Sequence, residues 1–397
     1  MRAHAILNTF LNDVTPTMHK VRRTSLRAVL TSLLSGSHLS VTSLGRNIES
    51  ETTEKHQIKR SMRLCSNPHL YHEIGAIYSA MATRLIGQQT QPIILVDWSD
   101  LDPRKQHFLL RASVAIEGRS LTVLEEVHPL SRKEKPTVHK AFMQRLKALL
   151  PEGCQPIIVT DAGFRVPWFR LIESLGWDYV GRVRNRTFYN NKSAPDWHAV
   201  KDLYAKATAT PKLLGAYQLC RRNPIVGQFC IYKNQPKGRR DLTAKGDKAR
   251  KSRLSRASAE REKEPWLLAT SLKRCSSHFA KKIVKIYQTR MQIEESFRDL
   301  KTGLSFNESK TRTLHYLSVL LLLAMLAQYV LFLLGMVMKL SQHHLQYQAN
   351  SVKNNPVLSY QFIGLRAFRD RRLRIKNREG QAAYQQIQIL MKQPLNV

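Results

Sequence analysis

The sequence feature that most limits the possible folds is an apolar run near the C-terminal end of the chain. From Leu317 to Met338 the run is interrupted only by Ser318, Gln328 and Gly335. A helix of this length could cross a lipid bilayer, which needs about 20 apolar residues, or it could lie buried on all sides inside a large domain. Both flanks are strongly basic, so a single span would have no clear orientation. We therefore favour a buried core helix and no membrane partner, with a membrane protein as the alternative.

The charge balance indicates a polyanionic partner. The 397 residues include 64 Lys and Arg against 29 Asp and Glu, a formal net charge of +35. This balance argues against an acidic small-molecule enzyme and favours nucleic acid over a membrane surface as the partner. Apolar residues make up 43% of the chain, which excludes a wholly disordered or fibrous protein. Five scattered cysteines without a C-x-x-C motif favour neither a disulfide framework nor a zinc site, and they fit a reducing cytoplasm.

Residues 1–88 are predicted to form a helical DNA-binding domain. Apolar periodicity predicts three short helices over Ser25–Leu34, Val41–Ile48 and Glu54–Cys65. On the third helix, an apolar seam of Ile58, Met62 and Cys65 lies beside a basic stripe. The stripe consists of His56, Lys59, Arg60 and Arg63. This combination suits a helix-turn-helix domain whose third helix lies on DNA, but an ordinary solvated surface helix would show the same stripe.

From residue 92 onward the pattern changes to apolar strands separated by helices. The order β-β-β-α-β-α-β predicts a hairpin start followed by parallel crossover units, and hence an α/β fold with a mixed sheet covered by helices. Residues 187–264 interrupt this alternation and are predicted to form a β-rich insertion. The polar, basic tract at 236–265 is predicted to be a flexible loop or arm. A strand from Trp266 and one long helix from about Phe279 then return to the sheet domain.

These elements define the expected domain boundaries. The main sheet domain comprises residues 89–186 and 265–340, on either side of the 187–264 insertion. A basic C-terminal region covers residues 341–397. It contains the run Arg366–Arg378, in which seven Lys and Arg are accompanied by one acid, Asp370.

Two aspartates follow apolar strands at equivalent places. Asp97 comes directly after IILV, and Asp161 comes directly after IIVT. Since the C-terminal ends of adjacent parallel strands face one crevice, the two carboxylates could share a cation. Each aspartate alone could equally cap a turn or the next helix. The pair therefore suggests a metal site without specifying one.

The helix from about Phe279 carries a polar arc. At 100° per residue, five side chains fall within about 80° of one another. They are Tyr287, Arg290, Glu294, Arg298 and Lys301. An apolar stripe adjoins this arc and consists of Ile286, Ile293, Phe297 and Leu300. The arc suits a phosphate-bearing ligand held beside a metal-binding acid, and a surface helix with Glu–Arg pairs is the alternative.

These motifs resemble the bacterial insertion-sequence transposases of the DDE class. VDWSD, VTDAGF and the Y-x2-R-x3-E-x6-K spacing are similar to the family with the Tyr-Arg-Glu-Lys signature, which includes cut-and-paste transposases that work through a DNA hairpin. The segments LGRNIES, KHQIKR, KEPWLLATSL, MQIEESFRDLKTGL and NSVKNNPVLS extend the resemblance over nearly the whole chain. The resemblance implies a ribonuclease H-like catalytic domain with a β-rich insertion between the second aspartate and the glutamate.

The resemblance also implies roles for individual residues. Asp97, Asp161 and Glu294 become the catalytic triad and hold two Mg²⁺ ions, for which Mn²⁺ can substitute. Tyr287, Arg290 and Lys301 hold the DNA backbone near the cut, and Arg298 on the same arc is given the same role. Glu295 points about 100° away from Glu294 and is not expected to be a ligand.

The implied activity is cleavage at the element's ends followed by transfer of the 3′-hydroxyl strand into target DNA. The implied partners are double-stranded DNA, as transposon ends and target, and a second copy of the chain in an end-paired homodimer. The implied location is the bacterial cytoplasm, at the nucleoid. A non-catalytic DNA-binding regulator derived from a transposase is the alternative, since it would use the basic regions without the acids.

Four side chains near these motifs are expected to have no catalytic role. His128, His139 and His315 are isolated in the sequence and are expected at the surface or at helix ends. Trp98 follows Asp97 and alternates to the opposite face of its strand, so it is expected to pack in the core.

Overall fold

The computed structural model describes residues 3–184, 187–191, 196–233, 251–349 and 357–392. The chain forms two compact units. The first comprises the described residues of Met1–Cys154 and Met291–Gln393, and the second comprises those of Gln155–Arg290. Helices and strands occur in both units, so the mixed α/β class predicted from the sequence is confirmed.

The first unit begins with a group of helices. They are α1 (Ala3–Val14), α2 (Lys20–Leu34), α3 (Val41–Arg46), α4 (Glu54–Cys65) and α5 (Pro68–Ile86). Side chains cap three of them: His19 accepts from the backbone N–H of Val21 in α2, Ser40 from that of Ser43 in α3, and Asn67 from that of Leu70 in α5. The three helices predicted between residues 25 and 65 correspond to α2, α3 and α4 and are confirmed.

Helix α4 buries a different face from the predicted one. Its buried residues are Gln57, Ser61, Leu64 and Cys65. Met62 is 46% exposed and Ile58 is only partly buried, so the predicted apolar seam is wrong except at Cys65. The physical reason is a close backbone approach, since a Cβ added at Gly45 of α3 would lie 2.5 Å from Ile58 Cα. The two helices therefore meet through their backbones at this point rather than through an apolar side chain.

An antiparallel sheet follows the helices of the first unit, with strand order β3-β2-β1. Its elements are β1 (Ile93–Asp100), β2 (His107–Ala115) and β3 (Ser120–Pro129), and α6 (Pro136–Leu149) comes next. Gly118 adopts a φ of 66° in the turn that joins β2 to β3, as a tight hairpin turn requires. Strand β1 continues to Asp100, so Asp97 lies within the strand rather than directly after it.

The second unit is built on a mixed sheet. Its elements are β4 (Ile157–Thr160), α7 (Val166–Ser174), β5 (Asp178–Val183), β6 (Phe188–Asn190), β7 (His198–Ala199), β8 (Lys212–Leu219), β9 (Ile225–Tyr232), α8 (Arg253–Glu262), β10 (Trp266–Thr270) and α9 (Phe279–Gln288). The strand order is β4-β5-β10-β9-β8-β6-β7. Strands β4 and β5 are parallel, as expected for a crossover through α7, and the other pairs are antiparallel. The predicted insertion is rich in strands, and because β9 pairs with β10 it extends the sheet of this unit.

Part of the basic tract between β9 and β10 is helical. The sequence predicts a flexible loop over residues 236–265, and this is wrong for residues 253–262, which form α8. Ser252 Oγ accepts from the backbone N–H of Ser255 near the start of the helix, and Ala257 and Ala259 favour helical backbone. The earlier part of the predicted loop, up to residue 250, lies outside the described residues.

The single long helix predicted from Phe279 is interrupted. After α9 the chain turns at Thr289, whose hydroxyl donates to the Ile286 carbonyl at 2.6 Å, and α10 (Met291–Arg298) then begins. Helix α10 widens into a π-helical turn at Asp299–Gly303. The predicted polar arc was calculated for one uninterrupted helix with 3.6 residues per turn. The turn at Thr289 and the π-helical residues change the angle between successive side chains, so the predicted arc is wrong.

The predicted core helix is α11 (Leu314–Leu340), followed by α12 (Tyr360–Arg369) and α13 (Asn377–Lys392). Among the described residues α11 is the one helix long and apolar enough to cross a membrane, and 94% of its most apolar stretch is buried inside the protein. Its buried residues occupy every side of the helix from Val319 to Met338. The structure thus agrees with the buried-core interpretation.

Helices α11 and α12 cross with their backbones in contact. A Cβ added at Gly335 in α11 would lie 2.0 Å from the Tyr360 carbonyl oxygen, and one added at Gly364 in α12 would lie 1.9 Å from the Leu331 carbonyl oxygen. No real Cβ could occupy either position. The two glycines therefore set the distance between these helices.

We predict that Gly335→Ala and Gly364→Ala each lower the free energy of unfolding by about 2 kcal/mol or more, because the added methyl group forces the crossing apart. The matched control is Gly75→Ala in α5, where an added Cβ meets nothing within 4 Å. This control is expected to be neutral or to stabilise by up to about 1 kcal/mol. Urea denaturation measures all three, and equal effects at Gly75 and Gly364 would contradict the close crossing.

Candidate active site

An open cleft in the first unit brings together four of the side chains singled out in the sequence. Asp97, Glu294, Arg298 and Lys301 line it, and its volume is about 450 Å³. The acids come from β1 and α10, about 200 residues apart in the chain. Two carboxylates and two cations in one solvent-accessible cleft can hold a phosphate group beside a divalent cation.

Asp97 is positioned by the antiparallel sheet. Its Oδ1 accepts from the backbone N–H of Trp98 at 2.8 Å, and in the strand register it lies opposite Arg111 of β2. The Arg111 side chain is fully buried, and its Nε donates to Glu125 Oε2 at 2.8 Å. Residues directly opposite on one sheet face have Cβ atoms about 5 Å apart. Arg111 thus places a permanent positive charge next to the strand position that carries Asp97.

A buried hydrogen-bond network holds Arg111 in place. Tyr78 of α5 donates its hydroxyl to Glu125 Oε1 at 3.0 Å. Burial raises the pKa of Tyr78, and the nearby Glu125 carboxylate raises it further. The guanidinium of Arg111 also lies 4.9 Å from the ring centre of Phe297, which lines the cleft. Sequence reasoning missed this network, although an arginine inside the apolar strand HFLLRASVA is a visible signal.

Glu294 is positioned by the docking of α10 on β3. Ser296 accepts from the backbone N–H of Ser120 at 2.9 Å and donates to the carbonyl of Ser120 at 2.8 Å. Ile293 and Phe297 are buried on the same side, as the predicted apolar stripe requires. With that side held against the sheet, Glu294 is turned to the cleft.

Neighbouring acids already engage both cations of the cleft. Lys301, in the π-helical turn, forms an ion pair with Asp100 of β1, and Arg298 forms one with Glu295. Glu295 also lies 3.5 Å from Arg119, so it joins one cation of the cleft to an arginine outside it. That Glu294 rather than Glu295 acts as a metal ligand stays a prediction.

Three further predicted site residues, Asp161, Tyr287 and Arg290, belong to the second unit. Asp161 follows β4 directly, and its Oδ1 accepts from the backbone N–H of Gly163 at 2.8 Å. A Cβ at Gly163 would lie 3.0 Å from the same oxygen, so glycine leaves room for the carboxylate. Arg290 follows α9, with its guanidinium carbon 5.9 Å from the ring centre of Tyr287. The structure therefore groups Asp161, Tyr287 and Arg290 within one unit.

Tyr287 is buried rather than exposed on a helix surface. Only 3% of it is accessible, and the edge of the Trp266 ring packs on it at a centroid distance of 5.0 Å. Burial raises the pKa of Tyr287; Arg290 and Arg182 act to lower it, and Asp161 acts to raise it. Arg182 of β5 is thus a further cation near Tyr287 that the sequence pattern did not single out. Its signal is a lone arginine within the buried strand DYVGRV.

Of the three histidines, His128 does not lie where the sequence predicts, whereas His139 and His315 lie near the N-terminal ends of α6 and α11 as predicted. His128 is 7% exposed, so its expected surface placement is wrong, and it lies 3.2 Å from Glu126. His139 is half-buried and accepts from Trp98 Nε1 at 3.1 Å. Trp98 contacts both rings and also lines the cleft, so it is not wholly in the core. Trp98, His128 and His139 meet because the elements that carry them, β1, β3 and α6, pack together. His315 is half-buried and stacks on Tyr71.

The donor set of the cleft fits a hard divalent cation. Its acids offer carboxylate oxygens, which Mg²⁺ and Mn²⁺ prefer, and none of the described residues that line it is His or Cys. Among the described residues, no group of three or more His, Cys, Asp or Glu is close enough to hold a metal ion. The first unit thus supplies Asp97 and Glu294 as a pair, and a three-acid site needs a contribution from outside this group.

The basic stripe of α4 is accessible in the first unit. His56, Lys59 and Arg63 are exposed, and Arg60 is half-buried, with its Nε donating to Ser25 Oγ at 3.3 Å. Arg60 and Arg63 line a second open cleft of about 420 Å³ together with residues of α2. The stripe therefore presents its cations to solvent, which DNA binding requires and a solvated face would also show.

One comparison with known protein families gives a match. A family model described as transposase DDE domain matches residues 88–330, which is more than half of the chain. A search among curated proteins found no match. The matched range includes every residue of the first cleft and all of Asp161, Tyr287 and Arg290.

We predict that His139 makes the protein less stable as the pH falls from about 6.5 to 4. Burial lowers the pKa of His139 to about 4, with His128 lowering it and Glu134 raising it to smaller extents. Between that value and the ordinary pKa of about 6.5, the unfolded chain binds a proton that the folded chain does not. His139→Gln keeps an acceptor for Trp98 without a titrating group. From pH 7 to pH 5 the wild type should lose more unfolding free energy than the variant, by on the order of 1 kcal/mol once the partial exposure of His139 is taken into account. Identical losses in both proteins would contradict this prediction.

Proposed function

The chain belongs to the transposase DDE domain family, and from this premise we propose that it binds the terminal inverted repeats of an insertion sequence, cleaves at the element's ends and transfers the 3′-hydroxyl strand into target DNA. A transposase domain implies DNA as the partner. The observation that carries the proposal is the cleft in which Asp97 and Glu294 lie with Lys301 and Arg298, inside the matched range. The finer features proposed with it are the Tyr-Arg-Glu-Lys signature, the hairpin pathway and a ribonuclease H-like catalytic domain.

The proposed chemistry is in-line displacement at a phosphodiester. Asp97, Asp161 and Glu294 would hold two Mg²⁺ ions through carboxylate oxygens, and Mn²⁺ could replace them. When bound, such ions make the attacking water or 3′-hydroxyl more acidic and stabilise the leaving alkoxide. Arg111, paired with Glu125 in the core, would support the strand position of Asp97 from the facing strand β2.

The cations of both units would bind and orient the DNA backbone. Lys301 and Arg298 of the first unit are held near the cleft by Asp100 and Glu295, so a phosphate has to replace a carboxylate at each. Exposed ion pairs are worth about 0–1 kcal/mol, so the exchange is cheap for a polyanion. In the second unit Arg290 would bind phosphate, and the buried Tyr287 would position Arg290 rather than reach the DNA alone.

We also propose how the protein binds and pairs the element's ends and where it acts. The α4 stripe of His56, Lys59, Arg60 and Arg63 would contact the end sequence, with affinity that falls steeply with salt. A homodimer would pair two ends, and the reaction would take place in the bacterial cytoplasm at the nucleoid. The expected domain boundaries, 1–88, 89–186, 187–264, 265–340 and 341–397, remain predictions beside the two compact units.

The alternative, a non-catalytic DNA-binding regulator, is not favoured. A regulator needs basic surfaces but has no use for a cleft lined by Asp97 and Glu294. The family match covers the part of the chain that carries these acids and begins after the N-terminal helices. Metal-dependent nicking separates the two functions.

We predict that Asp97→Asn, Asp161→Asn and Glu294→Gln each lower cleavage of end DNA by at least about 10³-fold, because the metal ions lose a charged ligand. Binding of the same DNA should persist, since it depends on cations. The assay is strand-specific mapping of breaks in a plasmid carrying the element's ends, with Mg²⁺, with Mn²⁺ or with a chelator.

The matched control for this test is Glu295→Gln, one residue along α10, whose carboxylate pairs with Arg298 and Arg119 outside the metal-binding role. It should keep cleavage within about tenfold of the wild type, a cost of about 1.4 kcal/mol. Loss of DNA binding in all three acid variants, or full cleavage in any of them, would contradict the proposed triad.

A further inference from the structure

The C-terminal basic segment, Arg366–Arg378, presents all of its cations to solvent. Its seven Lys and Arg are exposed, and Arg371 and Arg372 expose 91% and 93% of their side chains. The segment is fully described, and no large apolar side chain in it is exposed. It is therefore a surface of nearly uniform positive charge, which neither α4 nor the cleft accounts for.

Hydrogen bonds within the segment hold its backbone in one shape. Asp370 Oδ1 accepts from the backbone N–H of Arg372 at 2.9 Å, and this bond lowers the pKa of Asp370. Arg374 donates to the carbonyl of Arg371 at 2.9 Å, and Glu379 accepts from the backbone N–H of Lys376 at 2.7 Å. The one acid of the segment thus shapes the turn, and it also lies 3.4 Å from Arg372 Nε, so it offsets one of the seven positive charges.

Apolar residues anchor the segment to the core of the first unit. Leu373 packs against a buried cluster of Met338, Ile363 and Ala367, and Ile375 is 1% exposed. These two residues alternate with Arg372, Arg374 and Lys376, so alternate side chains point inward and outward. The cations are therefore carried on a fixed frame, which reduces the conformational entropy lost when they bind a ligand.

The segment lies against the turns on either side of α3. The Arg369 guanidinium lies over Gly36, where a Cβ would be 1.3 Å from its Nη2, and Arg371 is 3.7 Å from Glu49. Gly36 follows the C-terminus of α2, where a cation is favoured by the helix dipole. The basic segment and the N-terminal helices thus belong to one continuous region of the first unit.

We propose that the C-terminal basic segment binds the sugar-phosphate backbone of duplex DNA, independently of base sequence, as a second DNA-contact surface beside α4. The identity of the polyanion rests on the proposed function. Arginine suits this role because its planar group can donate two hydrogen bonds to one phosphate. The lack of exposed apolar side chains argues against a protein partner, whose binding centres are enriched in aromatic and other apolar residues.

The test compares two triple variants of the full chain. Arg371→Gln, Arg372→Gln and Lys376→Gln together remove three of the seven positive charges of the basic segment and keep the anchors and the Arg374 bonds. Arg132→Gln, Lys135→Gln and Lys140→Gln together remove the same charge from exposed positions between β3 and the first half of α6. Fluorescence anisotropy with a labelled random-sequence duplex measures the affinity over a range of salt concentrations, and thermal melting confirms that each variant is folded.

The segment variant is expected to bind at least about tenfold more weakly, with a salt slope reduced by about 2–3, because each lost phosphate contact removes about 0.9 from the slope. The control variant should change the slope by less than 1. Equal losses in both variants, or no loss in the segment variant, would overturn the inference while leaving DNA binding intact. A wild-type chain that binds no duplex would instead overturn the proposed function itself.

Discussion

The all-round burial of α11 is the constraint on which the first unit depends. A helix that is apolar on every side must be covered on every side, and strands, N-terminal helices and C-terminal helices all pack on it. Its few polar groups are used for positioning. Gln328 donates to the carbonyl of Ser296 in α10 at 3.2 Å, and the Tyr329 hydroxyl accepts from Arg84 of α5 at 2.8 Å. The placement of Glu294 therefore follows from core packing as well as from its own helix.

The chain has a net charge of +35, and neighbouring acidic side chains hold several of its cations in ion pairs. At the cleft, Asp100 and Glu295 hold Lys301 and Arg298 in partly exposed pairs that a phosphate can replace at low cost. Beneath the cleft, Glu125 holds Arg111 in a fully buried pair, and breaking such a pair by removing one partner costs about 3–5 kcal/mol. Exposed pairs thus leave the cations available to DNA, and the buried pair keeps a charge in place.

Much of the secondary structure follows from local patterns in the sequence. The helices α2 to α4, the hairpin of β2 and β3, the parallel pair β4 and β5 and the long helix α11 all lie where apolar periodicity predicts them. The failures are equally physical. The seam on α4 was misassigned because Gly45 allows a backbone contact that no hydrophobic pattern reveals. The helix after Phe279 breaks where the Thr289 hydroxyl donates to the Ile286 carbonyl, a contact that a straight helical projection does not show.

In the candidate site too, some features follow from the sequence and others arise only from packing. The residue types and their order were enough to single out Asp97, Glu294, Arg298 and Lys301, because chemistry limits which side chains can bind metal and phosphate. The sequence by itself also determined the apolar length of α11 and the excess of positive charge, since both are properties of composition. Only the tertiary structure decided that Asp100 engages Lys301, that Tyr287 is buried, and that Arg111 lies opposite Asp97. These features depend on residues distant in the chain, which meet only when packing brings the elements together, whereas the Glu295–Arg298 pair joins residues three apart on one helix.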